Sequence, residues 1–182
     1  GRPQIVGVFF ALTFHHILHK TRQNPQSWRP FLLPLLMILW VNIHGSFFAG
    51  FTIIGAYGME AIYSKNKEWF LQLLFVGMLC LIATIINPYG IDVITAVERS
   101  LNSVMTGYIS EWRPFVFGSV MGVSIWLLAF LIFNNLQNQH AKIADKILAV
   151  AWLIVMLFSV RNIGLLAVLG APYIAANLPS DN

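Results

Sequence analysis

At 182 residues, with 58% hydrophobic, 14% aromatic and only 10% charged side chains, the chain lies far outside the composition of soluble domains, where about a quarter of residues are charged. It reads as an integral, all-α membrane protein, with a single transmembrane domain over residues 1–182 and no room for a separate soluble domain. The net charge of +4 suits basic loops drawn to anionic headgroups, and no basic-aromatic run points to nucleic acid.

The opening Gly1-Arg2-Pro3 carries no signal-peptide pattern, so the chain reads as part of a longer polypeptide whose remaining helices complete the bundle. About seven apolar segments follow, none with the alternation of barrel strands. The first runs from Ile5 to Leu18 and ends in His19-Lys20-Thr21-Arg22, before a polar loop from Gln23 to Arg29. The second is the short run Phe31 to Val41, with Pro34 near enough its start to be tolerated in a first turn. The third runs from Phe47 to Tyr63, the fourth from Trp69 to Ile86, the fifth from Phe115 to Phe133, the sixth from Ile147 to Ser159 and the seventh from Ile163 to Ala176. The expected fold is thus a polytopic transmembrane helical bundle that includes two short hairpin-forming helices and an outer interfacial helix.

The two short hairpins turn at Trp40-Val41-Asn42-Ile43-His44-Gly45 and Ser159-Val160-Arg161-Asn162-Ile163-Gly164. A run of about 13 residues rises only about 20 Å as a helix, less than the roughly 30 Å hydrocarbon core. Polar groups at such depth need a cavity, a partner or a substrate.

Threading the segments alternately puts every lysine on one side, with Arg22 and Arg29, and that side is expected to be cytoplasmic. The other side receives Arg2, Arg99, Arg113 and Arg161 with Asp92, Glu98 and Glu111. The outer loop from Asn87 to Pro114 begins with the helix-stopping Asn87-Pro88-Tyr89-Gly90. It then carries Ile94, Val97, Leu101 and Val104 at helical spacing, the pattern of an interfacial helix.

Each polar feature has a bland reading beside a functional one. Trp40 and Trp112 are either interfacial anchors or site residues; His44 either caps its helix or contacts a substrate. Asn87-Pro88-Tyr89-Gly90 reads first as a turn, and Glu60 as a snorkelling end residue. Arg161 is costly between apolar runs and is offset either by Glu111 or Glu98 or by an anionic ligand. Cys80 stands alone, which rules out an intrachain disulfide. His15 and His19, one turn apart, lack an acidic or cysteine partner in the local sequence, so no metal ligand set is legible. The need for a divalent metal stays open, and no other cofactor is implied.

The ordered set Arg2-Pro3-Gln4, Trp40-Val41-Asn42-Ile43-His44-Gly45 with Phe47 and Gly50, Asn87-Pro88-Tyr89-Gly90, Glu111-Trp112 and Arg161-Asn162 resembles a group of bacterial polytopic proteins. Their organisation is similar to that of membrane glycosyltransferases of the GT-C type. The resemblance implies transfer of a sugar from a polyprenyl-phosphate carrier to an acceptor on the outer face of the bacterial cytoplasmic membrane. By that resemblance, Arg161 and Arg113 hold the carrier phosphate, Asn42, His44 and Asn162 line the same cavity, and Trp112 stacks on sugar or polyprenyl chain. Glu111 is the weakly placed candidate acid, because in GT-C enzymes the catalytic acid lies in the first outer loop, which is expected to precede Gly1. The rival expectation is a non-catalytic membrane subunit or transporter-like protein that binds a small anion in its broken hairpins. Inner halves that read as almost uniformly apolar count against it. A purely structural pairing of Arg161 with Glu111 is the third.

Overall fold

The computed structural model describes residues 4–22, 24–101, 128–130, 132–133, 136 and 141–158. Among these residues the fold is all-α, with no strand. The chain divides into two compact units, Gly1–Ser103 and Val104–Asn182. The first holds helices α1 (Gln4–Thr21), α2 (Leu33–Ile43), α3 (Phe48–Tyr63), α4 (Lys67–Ala83) and α5 (Val93–Leu101); the second holds α6 (Ile143–Phe158).

Local chemistry sets the helix ends. A short 3-10 turn, Arg29–Leu32, leads into α2 with Pro34 in its first turn, where the missing N–H costs nothing. His44 then leaves helical space (φ −152, ψ 132) and α2 stops. Helix α3 closes at Lys65, whose φ of 55 reverses the chain, and Asn66 caps α4 by accepting from Trp69 N at 3.0 Å. After α4, Asn87 Oδ1 accepts from Tyr89 N at 2.7 Å, and Gly90 N donates back to the Asn87 carbonyl at 3.0 Å. Gly90 takes φ +56, open to glycine at little cost. The Asn-Pro-Tyr-Gly segment is therefore a self-closed turn, and α5 follows it as expected, with Asp92, Glu98 and Arg99 exposed.

In the first unit α1 packs on α2 and α3, and α4 packs on the same two helices, which makes a four-helix arrangement. Its core is Phe14, Leu18, Leu33, Met37, Trp40, Ile53, Tyr57, Leu73, Val76 and Cys80. Gly50 lets three of these side chains converge: a Cβ there would lie 2.9 Å from Met37 Cε, 3.0 Å from Phe14 Cε1 and 3.2 Å from Trp40 Cζ3. The outward face of α4 is as apolar as its core face. On α4, Trp69, Leu73, Val76, Cys80 and Ala83 are buried, while Leu71, Leu74, Phe75, Met78, Leu81 and Ile82 are all exposed.

Among the described residues no helix is long and apolar enough to cross a membrane. Helix α1 reaches 18 residues but includes His15, His16, His19 and Lys20. At 16 and 17 residues, α3 and α4 are only about 24–26 Å long. The fifth expected segment lies mostly outside the described residues, and the seventh lies wholly outside them.

Candidate functional site

Two polar constellations are built into the first unit, at opposite ends of its helices. One occupies the tip where α2 breaks into α3. Trp40 is fully buried, stacked on Phe10 (5.4 Å, 14°) and edge-on to Phe14 (5.3 Å, 69°). It is a core residue, so the reading of Trp40 as an interfacial anchor fails. Its indole Nε1 donates to Ser46 Oγ at 3.2 Å.

Ser46 Oγ lies 2.7 Å from His44 Nδ1, and the same Nδ1 accepts from Ser46 N at 3.1 Å. An Nδ1 that accepts a backbone N–H carries no proton, so the neutral imidazole holds its hydrogen on Nε2. The 2.7 Å contact has the length of a nucleophile–base pair. Here, however, Ser46 Oγ also accepts from Trp40 and sits against Gly7, where an added Cβ would overlap it. The arrangement closes the turn and fixes the imidazole, so His44 caps the turn through Nδ1 while Nε2–H is a donor.

Asn42 is exposed, and its amide nitrogen donates to Ile38 O at 2.7 Å and to Ile86 O at 2.8 Å. The second bond ties the tip of α2 to the end of α4. Both amide hydrogens are thereby used, which leaves the side-chain oxygen, an acceptor for a hydroxyl and not a donor for a phosphate. Glu111, Trp112, Arg113, Arg161 and Asn162 lie outside the described residues.

The second constellation joins α1 and α3 at the end that carries Lys20, Arg22, Lys65 and Lys67. Arg22 Nη2 donates to Tyr57 Oη at 3.0 Å, and Arg22 Nη1 lies 3.6 Å from Glu60 Oε1. Tyr57 Oη in turn lies 3.3 Å from His15 Nδ1 and 3.5 Å from the His15 carbonyl oxygen. The Arg22 and Glu60 side chains are only 7% and 14% exposed. This corrects two expectations. Glu60 does not snorkel but pairs with Arg22, and this end of the bundle is not uniformly apolar. The missed signal was spacing: His15 on α1 and Arg22 just past its last residue stand seven positions apart, about two turns, and Tyr57 and Glu60 stand one turn apart on α3, each pair on one helical face.

Gln72 Nε2 on α4 donates to Ser27 O at 2.7 Å and holds the α1–α2 loop against the bundle. Comparison with known protein families, characterised proteins and solved structures finds no match to this chain.

Proposed function

We propose that this chain is the membrane-embedded part of a glycosyltransferase that moves a sugar from a polyprenyl-phosphate carrier to an acceptor on the outer face of a bacterial cytoplasmic membrane. The membrane part of the reading is supported by α2, α3 and α4, which expose large apolar side chains such as Leu35, Leu39, Met59, Leu74, Phe75 and Met78 as well as burying them, the property of a span or of a large protein core. Their shortness is accommodated by local thinning of the bilayer and by association of several helices.

The observation that carries the reading is His44, fixed through Nδ1 by Ser46 N at 3.1 Å in a broken-helix tip. Its Nε2–H is a donor suited to a phosphate or sugar oxygen. The sugar carrier is anionic and enters from the membrane boundary, and a donor at a helix break is positioned to meet it. In this reading Asn42 accepts from a sugar hydroxyl; Arg113, Arg161, Asn162 and Trp112, expected to contact the same substrate, lie outside the described residues. The partners are then the lipid bilayer, the polyprenyl-phosphate-linked sugar and further helices of the same polypeptide.

The test is polyprenyl-phosphate binding to the full chain purified in detergent, in wild type, His44→Ala and Arg161→Ala. Loss of binding in both variants with thermal melts unchanged supports the reading. Retention of wild-type affinity by His44→Ala removes its central support.

One observation favours a second reading, a transporter-like protein for a small anion. The buried Arg22–Tyr57–His15–Glu60 cluster lies at the end of the helices opposite His44, and alternating access needs polar groups on both halves. Anion flux into proteoliposomes without any sugar transfer selects this reading.

A further inference from the structure

A groove of about 370 Å³ runs between α3 and α4, and its lining is wholly apolar, from Phe51 and Leu81 at one end to Ile62 and Phe70 at the other. Gly55 and Gly58 open it, since a Cβ at either would meet nothing within 4 Å. Met59, Ile62, Leu74, Met78 and Leu81 along it are each more than half exposed. From Phe51 to Ile62 the helix rises about 16 Å, close to half of a roughly 30 Å hydrocarbon core.

At the Ile62–Phe70 end the groove continues into a second hollow of about 200 Å³, lined also by Lys65, Asn66 and Lys67. Ile62 and Phe70 line both hollows, so the apolar channel leads directly to two exposed lysines. Glu68 is exposed on the same turn but does not line this mouth. A one-leaflet apolar slot that ends in paired cations is complementary to an anionic lipid: a chain for the slot and a phosphate for the lysines.

We infer that the α3–α4 groove binds an anionic glycerophospholipid of the cytoplasmic leaflet, with an acyl chain between the two helices and its phosphate at Lys65 and Lys67. The inference rests on the membrane reading above, and on the lysine-bearing end being the cytoplasmic one. It concerns a different surface from the His44 tip.

The test titrates the full chain in detergent with phosphatidylglycerol or with phosphatidylcholine of the same acyl chains, and counts bound lipid by native mass spectrometry. Wild type prefers phosphatidylglycerol. Replacing both lysines, Lys65→Gln with Lys67→Gln, weakens that lipid by about thirtyfold, the ratio that two lysines at an anionic surface supply, and leaves phosphatidylcholine unchanged. Gly58→Leu fills open space and so spares the fold, and it weakens both lipids. Equal wild-type affinities, a preference that survives the double substitution, or full binding by Gly58→Leu overturns the proposal, including the case in which another helix fills the groove. Alkaline extraction of cell membranes separates the two readings: a chain retained in the membrane but without lipid preference loses only the lipid site, whereas a chain released by alkali loses both.

Discussion

Arg22 and Tyr57 meet twice: Nη2 donates to the phenol oxygen at 3.0 Å, and the guanidinium carbon lies 4.9 Å from the centroid of the same ring. With Glu60 Oε1 3.6 Å from Arg22 Nη1 and His15 Nδ1 3.3 Å from the phenol oxygen, a cation, an anion, a hydroxyl and an imidazole are gathered where α1 passes α3. In a site this dry, each group depends on its neighbours. A lone buried charge costs several kcal/mol, and a paired one can nearly break even against an apolar substitute.

Removing one partner should therefore hurt more than removing both. Arg22→Met removes the cation beside the mostly buried Glu60 and should cost about 3–5 kcal/mol, whereas Arg22→Met with Glu60→Gln should recover much of that loss. Tyr57→Phe keeps the ring under the guanidinium and deletes only the oxygen, for about 1–3 kcal/mol. Thermal denaturation of the full chain in one detergent reads all of these. If Arg22→Met and the double variant melt together, the ion pair does not hold α1 to α3.

A second coupling is expected at the tip. Ser46→Ala deprives the Trp40 indole N–H of its acceptor and His44 Nδ1 of its Oγ contact, for about 1–3 kcal/mol. Gly7→Ala destabilises from the opposite side, because its new Cβ overlaps Ser46 Oγ. Once the hydroxyl is gone that overlap is relieved, so the double variant should be more stable than the two single losses predict. Strict additivity in the melts would mean that α1 and the tip do not touch there.

The ends of the helices were legible in the sequence, and their faces were not. Pro34 in a first turn, Asn87-Pro88-Tyr89-Gly90 as a turn and the interfacial pattern that became α5 all act through bonds a few residues long, which local chemistry determines. Trp40 and Glu60 depended instead on which helix stands opposite. On α4 the buried Leu73 and Val76 are no more apolar than the exposed Leu74 and Phe75. A helix that is apolar on all sides gives no periodic signal for its inward face. Without that face, neither the Glu60–Arg22 pair nor the burial of Trp40 between α1 and α2 could be derived. The polar residues at one- and two-turn spacing on α1 and α3 were the remaining clue.

Gly50 provides a check on the core itself. Its Cβ position is crowded by Met37, Phe14 and Trp40 from two other helices, so Gly50→Ala should cost about 1–3 kcal/mol through overpacking. That outweighs the gain of up to about 1 kcal/mol that alanine brings to a helix interior. Because Met37 Cε is the nearest atom, at 2.9 Å, Met37→Leu should restore part of the loss by shortening that side chain. A Gly50→Ala variant that melts higher than wild type would show that α3 stands further from α2 than described.

Asn42 decides how the tip is tied to the end of α4. Its amide nitrogen donates to Ile38 O and Ile86 O, and this assignment follows from chemistry, since two carbonyl oxygens can be faced only by a donor. Asn42→Ala loses both bonds, for about 1 kcal/mol, and should speed amide exchange from Asn87 to Asp92, because the turn is then held to α2 less firmly. Asn42→Asp has the same shape but sets an acceptor against two acceptors, so it should be less stable than Asn42→Ala although it removes fewer atoms. The order Asn, Ala, Asp in melting temperature supports the tie between α2 and the end of α4. It also fixes what Asn42 can offer a ligand, an oxygen for a hydroxyl donor. If Asp is the equal of Asn, the amide makes neither carbonyl bond, its hydrogens are open to a ligand, and α2 is not tied to the end of α4 through this side chain.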